Sequence, residues 1–266
     1  MTAAFDAAWL AGLQRRADLP PLNPRETLAT ADGTPIGSLE PALGRALVDT
    51  RQPIAPATGG WRLAGETDDA LAAIATWLHR EGHGGRWRDE LLAVTATAGK
   101  RAGIAVGAIE RAAVRPLGIA TLAVHLVGHD GEGRVWVQQR AHDKATDPGL
   151  WDTLVGGLVS AGESTLPSLE RETWEEAGLR LAALERLDSF GAITVRRPVA
   201  DGYMVERIEM FDARLPAGVV PANQDGEVAG FELLEPAALR ERLQADRFTL
   251  EAALILRAWV ERRRAG

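Results

Sequence analysis

The 266-residue chain contains no cysteine. Disulfide bridges, thiolate zinc sites and a cysteine nucleophile are therefore excluded. The sequence also lacks an uninterrupted apolar run of about 18 residues, the length that marks a transmembrane candidate. The N-terminal segment has no basic stretch and carries Asp6 early, so we expect an amphipathic helix to about residue 18 and not a signal peptide. Cytoplasmic location, without a membrane partner, is the resulting prediction.

Charge and histidine spacing argue against two further classes of protein. The formal net charge is −7, which argues against a large nucleic-acid footprint. The five histidines form neither an H-x-x-H nor an H-E-x-x-H pattern, which argues against a zinc site. A length of 266 residues suits one large domain or two modest ones.

Residues 157–179, GLVSAGESTLPSLERETWEEAGL, carry the most specific pattern in the chain, G-x5-E-x7-R-E-T-x-E-E-x-G-L. A chance match to the seven glycine, glutamate and arginine positions of this pattern has a frequency of roughly one in a billion per start position. Ser164 or Thr165 is expected to cap a helix whose first turn holds Pro167. Gly178 stands where a left-handed residue ends such a helix.

Helical spacing predicts a narrow buried stripe on this helix, made of Leu166, Leu169, Thr173 and Ala177. Three glutamates are expected to share the face away from that stripe, namely Glu172, Glu175 and Glu176. Adjacent carboxylates repel one another in a purely structural helix. Mg²⁺ reverses that argument, because it prefers oxygen ligands and completes its shell with substrate phosphates.

This segment resembles the Nudix box of diphosphate hydrolases. The resemblance implies that Glu175 and Glu176 are metal ligands, and that Glu172 is a further ligand or a base. It also implies that Arg171 orients a glutamate and that Gly156 offers its carbonyl to the metal. Mg²⁺ is the implied cofactor, with Mn²⁺ as a substitute, and the implied partner is a small-molecule diphosphate. Because Nudix domains often dimerise, a homodimer is compatible with the resemblance.

Two positions just before the box, Arg140 and Lys144, form a second candidate set. In several Nudix branches, and in isopentenyl-diphosphate isomerases, cations at these positions contact the substrate diphosphate. Arginine and lysine suit this role because they neutralise phosphate oxygens that a metal leaves free. A solvated loop, with both cations paired to Asp143 or Asp147, is the alternative.

A late loop, ANQDGEVAGFELL, supplies a candidate acid. Nudix enzymes often place an acid near the metal shortly before the last strand, which favours Glu227, and then Asp225, as the general base. A turn with a solvated glutamate explains the same residues. His142 is a weaker candidate for substrate contact. Trp87 and Trp151 are candidates for stacking on a flat ring, although packing is the favoured use of each.

The order of elements predicts an α/β protein. A hairpin around Asp32-Gly33 and an amphipathic helix at about 68–81 predict a smaller α+β domain over 1–115. Residues 116–266 are predicted to form the Nudix hydrolase domain, an α/β/α sandwich with a mixed sheet. Its elements are a hairpin of 119–130 with 134–141, a short strand into the box, a second hairpin around Asp201-Gly202, a last strand, and helices at 236–243 and about 249–263.

The wider pattern resembles the thiamine-pyrophosphokinase-related branch of Nudix proteins, in which an N-terminal domain precedes the hydrolase domain. It implies hydrolysis of thiamine diphosphate or its oxidised derivatives to the monophosphate and phosphate. We expect the N-terminal domain to line or cover the cleft as a substrate lid. Hydrolysis of an ADP-sugar or dinucleotide, and a non-catalytic ligand-binding regulator, are the alternatives. An isomerase of isopentenyl diphosphate is disfavoured because its chemistry uses a cysteine.

Overall fold

The computed structural model describes residues 5–144 and 146–265. Its α-helices, α1 to α6, are Ala7–Ala17, Pro41–Asp49, Thr67–Arg80, Thr165–Ala177, Pro236–Gln244 and Leu250–Ala265. Its strands, β1 to β13, are Glu26–Ala29, Pro35–Leu39, Ile54–Ala57, Gly60–Leu63, Leu91–Thr95, Ala105–Glu110, Ala120–His129, Val135–Arg140, Trp151–Asp152, Val155–Leu158, Glu185–Val199, Gly202–Arg214 and Val228–Leu234. None of the described helices is long and apolar enough to span a bilayer.

A mixed sheet dominates the C-terminal half. Five of its strands follow the order β11-β12-β7-β8-β13, while β10 pairs with β7 and β9 with β8. The β7–β12 pair is parallel and its neighbours are antiparallel. Strand β7 is almost entirely buried, as expected for a central strand covered on both faces. Helices α1, α5 and α6 contribute to the core on one face, and α4 to the core on the other. The predicted α/β/α sandwich is confirmed.

A separate core lies in the N-terminal half. A four-stranded sheet, in the order β2-β1-β4-β3, and helix α3 surround it. The hairpin of β5 and β6 adds a two-stranded sheet that packs on α3. An α+β region therefore precedes the sandwich, as predicted. Helix α1 is an exception within this region, because Leu13 belongs to the core that contains α6. The division at residue 115 remains a prediction.

The hairpin of β7 and β8 differs from its prediction. Only two residue pairs join these strands, Gly128 with Trp136 and His129 with Val135. Beyond that point β10 takes the free edge of β7, beginning with Val155 opposite Leu126, and β9 takes the edge of β8. The two central strands therefore diverge, and the start of the box lies in the gap between them.

Candidate active site

Helix α4 presents the box residues to this gap. It begins after Ser164, and Gly178 ends it with a left-handed φ of 66°, which glycine adopts without the cost of a Cβ. Leu169, Thr173 and Ala177 are fully buried, as predicted. The prediction for Leu166 is wrong, since its residue is 54 % exposed. It lies in the first turn, where Ser168 is buried instead.

The predicted separation of glutamates from the buried stripe is also wrong in one case. Glu176 is only 3 % exposed. Seven residues separate it from Leu169, which at about 100° per residue returns it almost to the same side of the helix. Glu172 is also largely buried, whereas the Glu175 side chain is 42 % exposed. The three carboxylates therefore span an interior-to-surface gradient.

Arg171 joins three carboxylates of the box. Its guanidinium donates to Glu163 at 3.1 and 3.0 Å, to Glu172 at 2.7 Å and to Glu175 at 3.1 Å. The hydrogen bond to Arg171 lowers the pKa of Glu163. The same bond, followed by the charge of Glu172, raises the pKa of Arg171. Arg171 thus fixes the arrangement of these side chains, which is consistent with the orienting role that the resemblance implies.

Gly157 is required by the position of Glu172. A Cβ at residue 157 would lie 2.0 Å from Glu172 Cδ and 2.3 Å from its Oε1. No side chain fits between this strand and that carboxylate. Burial raises the pKa of Glu172, against the opposing charge of Arg171. A carboxylate held in this way can accept a proton more readily than an exposed one.

Glu176 is held by hydrogen bonds from two strands of the sheet, β8 and β10. Its Oε2 accepts hydrogen bonds from the Gly156 amide and from Gln138 Nε2, both at 2.9 Å. Burial nevertheless raises the pKa of Glu176 to about 8. No lysine or arginine among the described residues forms an ion pair with it, and the buried Gln138 Oε1 beside it has no hydrogen-bond partner. Close packing of His125 explains the second glycine, since a Cβ at residue 156 would lie 2.5 Å from its ring.

The donor set suits a hard cation. Glu172, Glu175 and Glu176 offer oxygen ligands only, as Mg²⁺ prefers, and the two buried carboxylates lack a full complement of positive charge. Across the described parts of the chain, no three histidine or carboxylate side chains are already gathered as a metal site. Arg171 explains this, because it lies among Glu163, Glu172 and Glu175. To bind a cation, these carboxylates would have to give up their hydrogen bonds to Arg171 and form contacts with the metal instead.

The predicted phosphate-binding cations already have protein partners. Lys144 donates to Glu227, so the structure brings together two residues from separate loops. Burial acts against ionisation of Glu227, but the hydrogen bond and charge of Lys144 lower its pKa. Arg140 donates to the Thr146 carbonyl at 3.0 Å and to Asp152 at 3.4 Å. Asp143 and Asp147, the partners considered from sequence, do not bind these two cations.

An open cleft of about 520 Å³ connects these residues with the N-terminal region. Arg140, Lys144 and Glu227 line it together with Gly156 and Gly157. Its opposite wall carries residues that sequence reasoning did not select: Arg86, Arg88, Arg111 and Arg115. His142, Trp87 and Trp151 do not line this cleft. Asp225 instead accepts a hydrogen bond from the Glu227 amide and shapes the loop.

Glu110 fixes the loop that carries Arg88. This buried carboxylate accepts hydrogen bonds from the amides of Arg88 at 2.9 Å and Glu90 at 3.1 Å. Glu90 in turn pairs with Arg111 at 2.8 Å. No described side chain forms an ion pair with Arg88, whose charge contributes to lowering the pKa of Glu227. The N-terminal region thus places a free guanidinium at the cleft.

The residues of the site that were not predicted from the sequence differ in whether a local sequence signal marks them. The period of two along β8 places Gln138 on the same side as Arg140, so Gln138 could have been selected from that signal. Glu110 and Arg88 carry no such signal, because they meet only through the tertiary fold.

Known proteins resemble this chain in sequence and in fold. The model of the NUDIX domain family matches residues 119–254, about half of the chain. The chain is 36 % identical over 145 residues to Nudix hydrolase 20, chloroplastic, of Arabidopsis thaliana, covering 53 % of this chain but only 38 % of that protein.

Two further matches are informative. An isopentenyl-diphosphate Delta-isomerase of Streptomyces coelicolor is 30 % identical over 150 residues, covering 55 % of this chain and 74 % of that protein. The crystal structure of DR0079 from Deinococcus radiodurans is similar with a TM-score of 0.51 and 22 % identity, over 64 % of this chain and 99 % of that one. The last similarity concerns the fold alone.

Proposed function

The chain belongs to the Nudix family, and from this membership we propose that it hydrolyses a diphosphate linkage with the help of a divalent cation. The observation that carries the proposal is the arrangement on α4. Two buried carboxylates, Glu172 and Glu176, lie against Gly157 and Gly156, and these two glycines line the cleft. Glu172 pairs with Arg171, but Glu176 has no ion pair among the described residues. A buried carboxylate without a counter-charge is costly, and cation binding would offset that cost.

Mg²⁺ is the proposed cofactor, with Mn²⁺ as a substitute. Glu172, Glu175 and Glu176 would hold it, with the Gly156 carbonyl as a further ligand. When bound, the cation neutralises the diphosphate and makes the attacking water more acidic. Arg171 keeps the carboxylates oriented throughout.

The remaining chemistry falls to side chains of the cleft. Water attacks phosphorus, the bond from phosphorus to the bridging oxygen breaks, and the water proton passes to a carboxylate. Glu172, which packs against Gly157 and is oriented by Arg171, is one candidate base, and Glu227 becomes the alternative base once Lys144 turns from it to the substrate. Arg140 and Lys144 then stabilise the charge that collects on the departing phosphate.

Two substrate classes fit this chemistry. The branch resemblance favours thiamine diphosphate or its oxidised derivatives, which would give the monophosphate and phosphate. A nucleoside diphosphate derivative, such as an ADP-sugar or a dinucleotide, is the alternative. A cleft of about 520 Å³ falls within the size range of small-molecule sites, roughly 300–1,000 Å³.

Two other functions fit less well. One is isomerisation of isopentenyl diphosphate, which the similarity to an isomerase suggests. The chemistry implied for that enzyme uses a cysteine, and this chain has none. A ligand-binding regulator without catalysis is disfavoured because the box retains Glu172, Glu175 and Glu176.

The N-terminal region, predicted as residues 1–115, would form one wall of the substrate cleft through Arg88. Dimer formation remains a prediction.

The proposal is tested by phosphate release with Mg²⁺ over a substrate panel. The panel holds thiamine diphosphate, its oxo and oxy forms, ADP-ribose, NADH, diadenosine polyphosphates, nucleoside triphosphates and isopentenyl diphosphate. Metal-dependent turnover that is lost in Glu176→Gln supports the hydrolase. Absence of turnover for every compound, in a folded protein that binds one of them, would favour the regulator.

A further inference from the structure

A second polar group lies in the cleft, away from the box. Glu206 on β12 and Thr121 on β7 both line it. Thr121 Oγ1 donates to Glu206 Oε2 at 3.1 Å, and the two residues face each other in the parallel register of their strands. The proposed hydrolytic chemistry uses neither of them.

Strand β7 sets the distance between this pair and the box. His125 lies opposite Gly156, and Thr121 precedes His125 by four residues on the same side of the strand. At about 3.3 Å per residue, Thr121 and His125 are separated by roughly 13 Å along β7. A substrate with its diphosphate at the box and its length along β7 would therefore bring its organic end to Glu206.

Among the described residues Glu206 has no ion-pair partner, unlike its charged neighbours. Arg115 pairs with Asp201 at 3.3 Å, and Arg111 pairs with Glu90 at 2.8 Å. Glu251 pairs with Arg197 at 3.3 Å. Within residues 5–144 and 146–265, no lysine, arginine or histidine lies at ion-pair distance from Glu206. Its carboxyl group is the acid that remains available to a ligand at this end.

Apolar residues surround the same end of the cleft. Met204 precedes Glu206 on the same side of β12, and Leu158 lies opposite Ala123 on β7. Both line the cleft, as does Val199. A polar edge framed by apolar side chains is typical of sites that bind ring systems and orient them by a few hydrogen bonds.

We propose that Glu206, supported by Thr121, binds the organic end of the diphosphate substrate, and that this end is an amino-substituted nitrogen heterocycle. The exocyclic amine donates to one carboxyl oxygen, and the adjacent basic ring nitrogen shares a proton with the other. The inference rests on the proposed function, since it places the diphosphate at the box.

The electrostatics of this position agree with that chemistry. Burial, followed by the charge of Glu251, raises the pKa of Glu206 to about 7, against the opposing charges of Arg115 and Arg111. Near neutrality the group can therefore hold a proton or release it. That property suits a ring nitrogen which competes for the same proton. An alkyl diphosphate, by contrast, would leave the carboxyl group unpaired, at a cost in binding.

The experiment compares binding of amino compounds with their oxo counterparts. Isothermal titration calorimetry with the full chain would use two pairs of monophosphates, AMP with IMP and thiamine monophosphate with oxythiamine monophosphate. In the pair that the cleft accepts, the amino form should bind at least about tenfold more tightly. Glu206→Gln should reduce that ratio to near one, because an amide can turn over and serve either edge.

Glu209→Gln is the matched control. Glu209 lies on the same strand with the opposite side-chain direction, pairs with Arg207 at 2.8 Å and does not line the cleft. It should keep the wild-type ratio, and melting temperatures would confirm that both variants fold. Equal binding of amino and oxo forms by the wild type, an unchanged ratio in Glu206→Gln, or no binding of any of the four compounds would overturn the proposal.

The same data separate this inference from the hydrolase proposal. A preserved amino preference in a protein that hydrolyses no diphosphate would support the Glu206 subsite and refute the hydrolase. Efficient hydrolysis without an amino preference would do the reverse.

Discussion

The two walls of the cleft were built in different ways. The box wall comes from one continuous segment, residues 157–179, with Arg171 bonded to three glutamates of that segment. The opposite wall carries Arg88 and Arg111, whereas Glu206, roughly a hundred residues later along the chain, lies on the sheet at the end of the cleft away from the box. The comparison teaches that the diphosphate chemistry is local in sequence, whereas recognition of the attached group depends on the tertiary fold.

The largest effect should come from the box wall. Glu172→Gln removes a charge at the proposed cation site and a candidate base, so kcat/KM should fall by about 10³-fold. Glu170→Gln is the control on the same helix, since the Glu170 carboxylate accepts from the Leu181 amide at 2.9 Å and pairs with Arg180, not with Arg171. Activity of Glu172→Gln within tenfold of the wild type would show that the reacting centre lies elsewhere.

A smaller loss is expected from Gly157→Ala. The added methyl would overlap Glu172, where the gap is 2.0 Å, and the carboxylate would have to move. We expect kcat to fall by about 10²-fold, because displacement of a positioning group by about 1 Å has effects of this size. Gly230→Ala is the control, since nothing lies within 4 Å of its Cβ position. Equal kcat values for the two variants would contradict the packing argument.

The opposite wall should affect binding more than turnover. Arg88→Gln removes an unpaired guanidinium, so KM for a diphosphate substrate should rise about tenfold with kcat nearly unchanged. Arg80→Gln serves as the control, because Arg80 is exposed and pairs with Glu81 away from the cleft. If KM is unaltered in Arg88→Gln, the N-terminal wall does not contact the substrate.

The smallest effect concerns stability. Because the folded-state pKa of Glu206 is about 7, above its unfolded value of about 4.5, the folded state binds the extra proton between these values. The free energy of unfolding should therefore decrease as pH rises from about 4.5 to 7. Glu206→Gln should be more stable than the wild type at pH 8, by about 1 kcal/mol after screening by cleft water, and equal to it below pH 4.5.

Urea unfolding in EDTA, at pH 4 and pH 8, measures this difference. EDTA removes cations that would bind the box glutamates, and Glu209→Gln is again the control. A stability gain of Glu206→Gln that is the same at both pH values would show that the proton on Glu206 is not involved.

Much of the fold followed from local patterns. The helix predicted at about 68–81 is Thr67–Arg80, and the hairpins at Asp32-Gly33 and Asp201-Gly202 form as expected. Alternation and turn residues determine such elements locally. The limited pairing of β7 with β8 was not predictable in the same way. It depends on β10 taking an edge of β7, a contact between segments about 30 residues apart.

The candidate site shows the same limit. The box pattern identified Glu172, Glu175 and Glu176 and the need for Gly157. The pattern did not reveal that Glu176 is buried, because helical spacing alone does not show how much of α4 the sheet covers. Lys144 and Glu227 were selected separately, and only the fold pairs them. Neither Arg88 nor Glu206 belongs to any local motif.

The most direct test of the account is Mn²⁺ binding followed by electron paramagnetic resonance, without any substrate. The wild type should bind Mn²⁺, Glu176→Gln should lose most of that binding, and Glu206→Gln at the other end of the cleft should retain it. Binding that survives Glu176→Gln but is lost in Glu206→Gln would contradict the assignment of cation and organic group to opposite ends of the cleft.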